Sequence, residues 1–329
     1  MKAINERSIV RKIALEEHFD APMIAREDYD GPVFARFPAE MKSRARAVAA
    51  DLDSGRIAAM DAAGIDLMVL SQTAPGVQIE ADAAKALRLA REANDYLAER
   101  IQRYPTRFAG FAHLALQDAT AGADELERCV TELGFVGAMI NGHTNGTYLD
   151  EEQFAPFWER VVALDVPVYL HPANPYEAPH VFRGRPELDA ATWMWNCETS
   201  THALRLVFAE TFDRFPATLI LGHMGETIPF YLWRLDSRAR IFAPNLKRRP
   251  SEIIREHIVI TTAGVCADAP LRCSVSDLGI DNVLFSVDYP YEDAKGAVDW
   301  IDQAQLTEEE HKKICHENAE RILKIGIVA

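Results

Sequence analysis

One pattern constrains the fold of this 329-residue chain more than any other: eight short apolar runs alternate with longer helical segments. The runs are KIALEEH (12–18), DLMVLSQ (66–72), RFAGFAHLAL (107–116), FVGAMING (135–142), VPVYLHP (166–172), ATLILGHM (217–224), HIVITTAG (257–264) and NVLFSVDYP (282–290). Helical patterns cover, among others, 82–103, 121–133, 151–164, 199–215 and 306–323. Runs this continuously apolar suit parallel strands covered on both faces. Eight of them alternating with helices predict an α/β fold of the (β/α)8 type, the TIM barrel. A doubly wound open sheet is the rival, but no G-x-G-x-x-G follows the first run and no Walker sequence occurs, so a nucleotide-binding version has no support. With 48% hydrophobic residues the chain can bury a large core, and a single barrel domain over 1–329 is expected.

Two connections break the short-loop rule. Asp20 to about Arg46 carries Pro22, Pro32 and Pro38, and Pro172 to Trp195 is rich in proline and aromatic residues. They follow the first and fifth runs and would emerge at the C-terminal face of a barrel, where active sites lie.

Composition excludes several functions. A formal net charge of −15 repels nucleic acid and anionic membranes. It also repels an anionic substrate at long range, so a carboxylate ligand needs local positive charge from a metal or an arginine. No apolar stretch is long enough to span a bilayer, and the N-terminus lacks the core of a secretory signal, so a cytoplasmic location is expected. The five scattered cysteines contain no C-x-x-C pair, which argues against a disulfide framework or a cysteine zinc site.

Chemistry-bearing residues gather at the ends of four runs: Glu16, Glu17 and His18 at the first, His171 at the fifth, His223 at the sixth and Asp288 at the eighth. Singly each has a bland reading, a hydrogen-bonded histidine or a turn-opening aspartate. Together they converge on one pocket if the barrel closes. Glu16, His18, His171 and Asp288 supply two carboxylates and two imidazoles, a mixed set that suits Zn²⁺ or Mn²⁺ better than Ca²⁺ or Mg²⁺. Strand alternation puts Glu16 and His18 on one face and Glu17 on the other, so Glu17 is expected behind the ligands. If the next helix begins near Gly225, Glu226 can orient His223 as an acid/base group. Arg234 is a candidate partner for a substrate carboxylate, with a helix-surface or subunit-interface role as the alternative.

At these residues the chain resembles the amidohydrolase superfamily, and more closely its metal-dependent decarboxylase branch, which includes aminocarboxymuconate semialdehyde decarboxylase. Within that branch it is similar to γ-resorcylate and 2,3-dihydroxybenzoate decarboxylases. The resemblance runs through KIALEEHF, TAPGVQ (73–78), ANDYLAERIQRYPTRFAGFAHLALQD (93–118), LDVPVYLHP, HALRL (202–206), GHMGETIPFYLWRLD and VLFSVDYPYE, nearly the whole chain. HTNGTYLDEEQF (143–154) looks more like 5-carboxyvanillate decarboxylase. The superfamily usually has H-x-H on the first strand, where this chain has Glu16-x-His18. Two-metal hydrolases of the superfamily carry a lysine on the fourth strand, and FVGAMING has none. Both departures favour one metal ion. His18 is replaced in 5-carboxyvanillate decarboxylases, so its presence tilts the substrate toward a dihydroxybenzoate.

The resemblance implies non-oxidative decarboxylation of an ortho-hydroxylated aromatic acid. Carboxylate and ortho-hydroxyl would meet a single Zn²⁺ or Mn²⁺, with no organic cofactor. Asp288 would protonate the carboxyl-bearing carbon, and His223, held by Glu226, would act beside it. Phe19, Trp193 and Trp195 are candidate ring-packing residues, with core packing as the alternative for each. A homodimer or homotetramer is implied, with Arg44 or Arg46 as residues that would reach a neighbour's pocket. Two other readings stay open: hydrolysis of a lactone or amide at the same metal, and a non-catalytic binding barrel.

Overall fold

The computed structural model describes residues 10–24 and 39–326 of the chain. The eight apolar runs form nine short parallel strands, the third run giving two. They are β1 (Ile13–Phe19), β2 (Leu67–Gln72), β3 (Phe108–Gly110), β4 (Ala112–His113), β5 (Ala138–Asn141), β6 (Val168–His171), β7 (Leu219–Leu221), β8 (Ile258–Thr261) and β9 (Val283–Leu284). Strands β3 and β4 are the two halves of the third run, which turns at Phe111. Its first half pairs with β2 and its second with β5, so the ladder β1-β2-β3 continues as β4 through β9. Phe111 N donates to Leu70 O and Ala112 N to Gly137 O, one bond on either side of the turn. Between the last run and the first, pairing shrinks to an isolated bridge at Glu17 and Tyr289, with His18 N donating to Tyr289 O at 2.7 Å.

Every run sends an apolar side chain to the barrel axis. Ile13, Leu15, Leu67, Val69, Phe111, Met139, Tyr169, Ile220, Val259 and Leu284 form one buried cluster. The opposite faces of the strands pack under the helices in a second, larger cluster. The helix Ala83–Arg103 shows why: Ala86, Leu89, Ala90, Ala93 and Leu97 recur at helical spacing on its buried face, and Asp82 caps it by accepting from Lys85 N.

The long connections differ in part from expectation. The stretch after β1 ends in a helix, Ala39–Ala50, which takes in Arg44 and Arg46; Pro32 and Pro38 lie outside the described residues. The stretch after β6 contains 3-10 turns at His180–Phe182, Pro186–Leu188 and Ala190–Thr192 before a helix begins at Met194. The helix expected over 199–215 stops at Phe208, and a separate turn, Thr211–Arg214, follows a left-handed Glu210. Among the described residues no helix is long and apolar enough to cross a membrane.

Candidate metal centre

Two residues beyond the apolar ring, alternation returns each strand to the axis, and the residues found there change character. Val69 is followed by Ser71, Phe111 by His113, Met139 by Asn141, Tyr169 by His171, Ile220 by Gly222, Val259 by Thr261 and Leu284 by Ser286. The barrel therefore carries a polar layer above an apolar plug, at its C-terminal end. Such a layer is tolerable only if its groups find partners.

Four of those partners face one another. One ligand-capable atom each from Glu16, His18, His171 and Asp288 lies within 4.8 Å of all the others. His18 Nε2 is 3.2 Å from Asp288 Oδ1, and His171 Nε2 is 3.5 Å from Glu16 Oε1. The two imidazoles meet edge to face with centroids 4.7 Å apart. Each imidazole is turned by a bond at its far nitrogen. His171 Nδ1 bonds Pro172 O at 2.8 Å, and His18 Nδ1 lies 3.3 Å from Ser71 Oγ. Pro172 O can only accept, so His171 Nδ1 carries the proton and its Nε2 presents a lone pair to the centre, as in a histidine ligand oriented from behind; Ser71 holds the His18 ring with its Nε2 toward the same point. Tyr169 Oη donates to Glu16 Oε2 and lies 2.9 Å from Thr261 Oγ1. Glu16 Oε1 and His18 Nε2 are buried without a hydrogen-bond partner. Two orphaned donor atoms in a ring of four are what a cation with bonds of roughly 2 Å to nitrogen and oxygen would satisfy.

Burial pushes the Glu16 carboxyl up to about 7, against the pull of the nearby histidines. Burial also lowers His223, but Glu16 and Glu226 override it and hold the imidazole well above its ordinary value. Asp288 moves down: burial opposes ionisation, and the attraction of the neighbouring His18 and His223 imidazoles more than compensates. Burial drives His171 well below its ordinary value, with His18 adding to the effect. The side chains divide by access. Those of Glu16 and His18 are sealed at 0% and 1% exposure, while Asp288 and His223, at 15% and 23%, face the opening.

His223 reaches this place by an unusual route. The helix begins at Ile228, three residues past Gly225, and His223 through Thr227 all have φ between 49° and 72°. This left-handed turn brings His223 Nδ1 to 2.8 Å from Glu226 Oε1 and leaves Nε2 3.6 Å from Asp288 Oδ2. The pairing of His223 with Glu226 is present, though by different backbone geometry from that expected.

One other expectation needs correction, and the remaining candidates take these positions. Phe19 does not line the site: it follows His18, so alternation turns it outward, where it is 1% exposed and stacked on Tyr96. Arg234 stands exposed on the helix Ile228–Phe242, two residues and about 200° of helical turn from the buried Leu232. Trp193 is half exposed at the start of the helix Met194–Phe208, and Trp195 Nε1 donates to Asn174 Oδ1. Glu17 lies behind the cluster, as expected. Tyr169, Thr261, Ser71 and Ser286 were not singled out from the sequence, although the first three fall at axis-facing positions of their strands and Ser286 lies two residues beyond β9.

The chain belongs to the amidohydrolase family, whose profile matches residues 16–325. Among characterised relatives it is similar to a γ-resorcylate decarboxylase of Polaromonas sp. strain JS666, with 42% identity over 96% of this chain and 99% of the relative. A crystal structure of a 2,6-dihydroxybenzoate decarboxylase complexed with 2,6-dihydroxybenzoate superposes with a TM-score of 0.90 at 41% identity, covering 96% of this chain and all of that one. A dihydroxybenzoic acid decarboxylase from Polaromonas sp. JS666, bound to manganese and the inhibitor 2-nitroresorcinol, gives 0.89 at 40% identity over 96% of this chain and 97% of its own.

Proposed function

We propose that this protein is a metal-dependent decarboxylase of a dihydroxybenzoate, with γ-resorcylate the first substrate to test. The observation that carries the reading is the ring of Glu16, His18, His171 and Asp288, with two of its buried donor atoms unpartnered and His223 beside Asp288. The names of relatives sharing about two-fifths of its residues support it. Glu16, His18, His171 and Asp288 would hold one Mn²⁺ or Zn²⁺. Bound there, the cation would neutralise the substrate carboxylate and acidify the ortho-hydroxyl.

The rest falls to the chain's own groups. Asp288, the ligand nearest the opening, accepts the hydroxyl proton and delivers it to the carboxyl-bearing ring carbon. The bond from that carbon to the carboxylate then breaks, its electron pair restores the aromatic ring, and CO₂ leaves. His223, fixed by Glu226, supports the charge that moves through Asp288. Trp193, half exposed at the start of the helix Met194–Phe208, would pack on the ring. We assign all of these roles to one catalytic domain.

The exposed face of the helix Ile228–Phe242 carries Phe230 and Trp233 at 76% and 79% exposure, with Arg234 next to them. Apolar groups this exposed and this close mark a contact surface, and we assign the face to a homo-oligomer.

The test is CO₂ release by the Mn²⁺-loaded protein from 2,6-, 2,3- and 2,4-dihydroxybenzoate, salicylate and 5-carboxyvanillate, with a lactone panel beside them. The expected result is turnover of a dihydroxybenzoate. Lactone hydrolysis without CO₂ release from any aromatic acid would overturn the reading.

A further inference from the structure

Strand β1 carries one residue more than its partner. Ala14 pairs with Met68 and Glu17 with Leu70, so Leu15 and Glu16 together stand opposite Val69. This bulge explains how Ile13 and Leu15 reach the apolar plug while Glu16 and His18, in the opposite phase, also face the axis. A bulge removes amide groups from the ladder, and buried amides need partners. Here one side chain serves both. Ser286 Oγ accepts from Leu15 N at 3.1 Å and from Glu16 N at 2.6 Å. Its hydroxyl donates to Glu17 Oε1 at 3.1 Å. The Glu17 carboxylate also accepts from Val287 N at 2.9 Å and Tyr289 N at 3.3 Å, the amides on either side of Asp288. Asp288 itself has a φ of 80°. Thr262 Oγ1 accepts from Ser286 N at 3.0 Å and donates to Ser286 O at 2.9 Å, which fixes the serine. Glu17, Thr262 and Ser286 are all fully buried.

This joint lies at the seam where the strand ladder between the first and last runs is reduced to one bridge. We propose that Ser286 and Glu17 are positioning residues: a side-chain joint that registers Glu16 and His18, on one side of the seam, against Asp288 on the other. The inference rests on reading those three residues as metal ligands. Without the joint, two buried amides lose their acceptor, and the bulge that turns Glu16 inward loses its support. A strand that relaxes by one residue turns its side chains to the other face.

The test titrates Mn²⁺ into the parent protein, Ser286→Ala, Glu17→Gln and a control, Ser251→Ala, reading free and bound Mn²⁺ by electron paramagnetic resonance with thermal melts alongside. Ser251 is the matched control because it is also buried and its hydroxyl also bonds a carboxylate, Asp236 Oδ2 at 2.7 Å, away from the seam. The expected result is Mn²⁺ affinity weakened about 10–100-fold in Ser286→Ala and Glu17→Gln, with an altered spectrum of the bound ion. Ser251→Ala should melt lower and keep parental affinity. Should Ser286→Ala fail to fold, Glu17→Gln decides alone: glutamine keeps one oxygen for Ser286 and Val287 but sets a donor NH2 against Tyr289 N, so the bond on the far side of Asp288 is lost. Affinity within twofold of the parent in the seam variants, or an equal loss in the control, overturns the assignment. A parent that binds no Mn²⁺ overturns the metal centre itself, and is seen before any variant is compared.

Discussion

At the scale of single residues, the centre is built as much by what is missing as by what is present. Gly222 occupies the axis-facing position of its strand, where a side chain would sit directly on a ligand. A Cβ there would lie 2.3 Å from Glu16 Oε2, far inside contact distance. Its φ of −71° is open to any residue, so the requirement is space and not backbone freedom. Gly222→Ala is therefore expected to displace the Glu16 carboxylate and weaken Mn²⁺ binding at least tenfold, with the melting temperature of the ion-free protein falling by only a few degrees. Isothermal titration beside a thermal melt checks it. Asp288→Asn tests the chemistry separately. An amide can still ligate through oxygen but carries no transferable proton, so kcat should fall by about 10²–10⁴ while the protein stays folded. Full turnover by Asp288→Asn would remove Asp288 from the proton path.

At the scale of elements, the barrel was legible in the sequence because eight apolar runs alternating with helical segments have few other ways to be buried. The proposed ligand set was legible because its residues end three of the runs. The geometry that delivers them was not. Alternation read along β1 puts Glu16 and His18 on one face, which is correct, yet the same rule would turn Ile13 and Leu15 away from the axis. Only the partner strand reveals the bulge, because a bulge is a count of two residues against one. The turn after β7 was hidden for a similar reason. His223-Met224-Gly225-Glu226-Thr227 contains one glycine, and nothing in its composition announces five consecutive left-handed residues. Each non-glycine residue in that conformation costs roughly 1–2 kcal/mol, and strain of this kind clusters where a side chain must be aimed. Thr227 is exposed at the end of the turn with φ 63°. Thr227→Gly should therefore leave stability unchanged or raise it by about 1 kcal/mol, net of the chain entropy glycine adds to the unfolded state. Gly225→Ala should do the reverse, because its Cβ would meet Ile260 Cγ2 at 2.7 Å in a backbone that already has φ 72°. The urea midpoint should fall in Gly225→Ala and hold or rise in Thr227→Gly; a fall in both would refute the account of the turn.

At the scale of the whole molecule, the polar layer makes stability depend on what occupies it. Two buried histidines outside the ligand set show the cost of burying such groups. Burial alone lowers His113 to about 3; burial, with help from Arg205, brings His202 to about 3. Unfolded, both titrate near 6.5. Between about pH 6.5 and pH 3 the unfolded chain therefore binds protons that the folded one refuses, and stability falls as pH falls. Each contributes about 2 kcal/mol of loss by pH 5. His113→Asn and His202→Asn should each flatten the pH dependence of the urea midpoint over this range, whatever they do to its value at pH 7.5. The proposed metal centre acts in the opposite sense. Glu16 Oε1 and His18 Nε2 are buried without partners, so a cation that satisfies them binds the folded chain and not the unfolded one. Free Mn²⁺ at 100 times its dissociation constant should then add about 2.7 kcal/mol. For a chain of this length that is a rise in melting temperature of a few degrees, reversed by a chelator. Glu16→Gln should abolish most of the rise, because it removes a ligand charge while keeping the side chain's volume. The Arg214→Ala variant, whose guanidinium pairs with Glu152 at the surface, should keep all of it. A melting temperature indifferent to Mn²⁺ and Zn²⁺ alike in the unaltered protein would mean that the ring of four is held together by protons and hydrogen bonds alone.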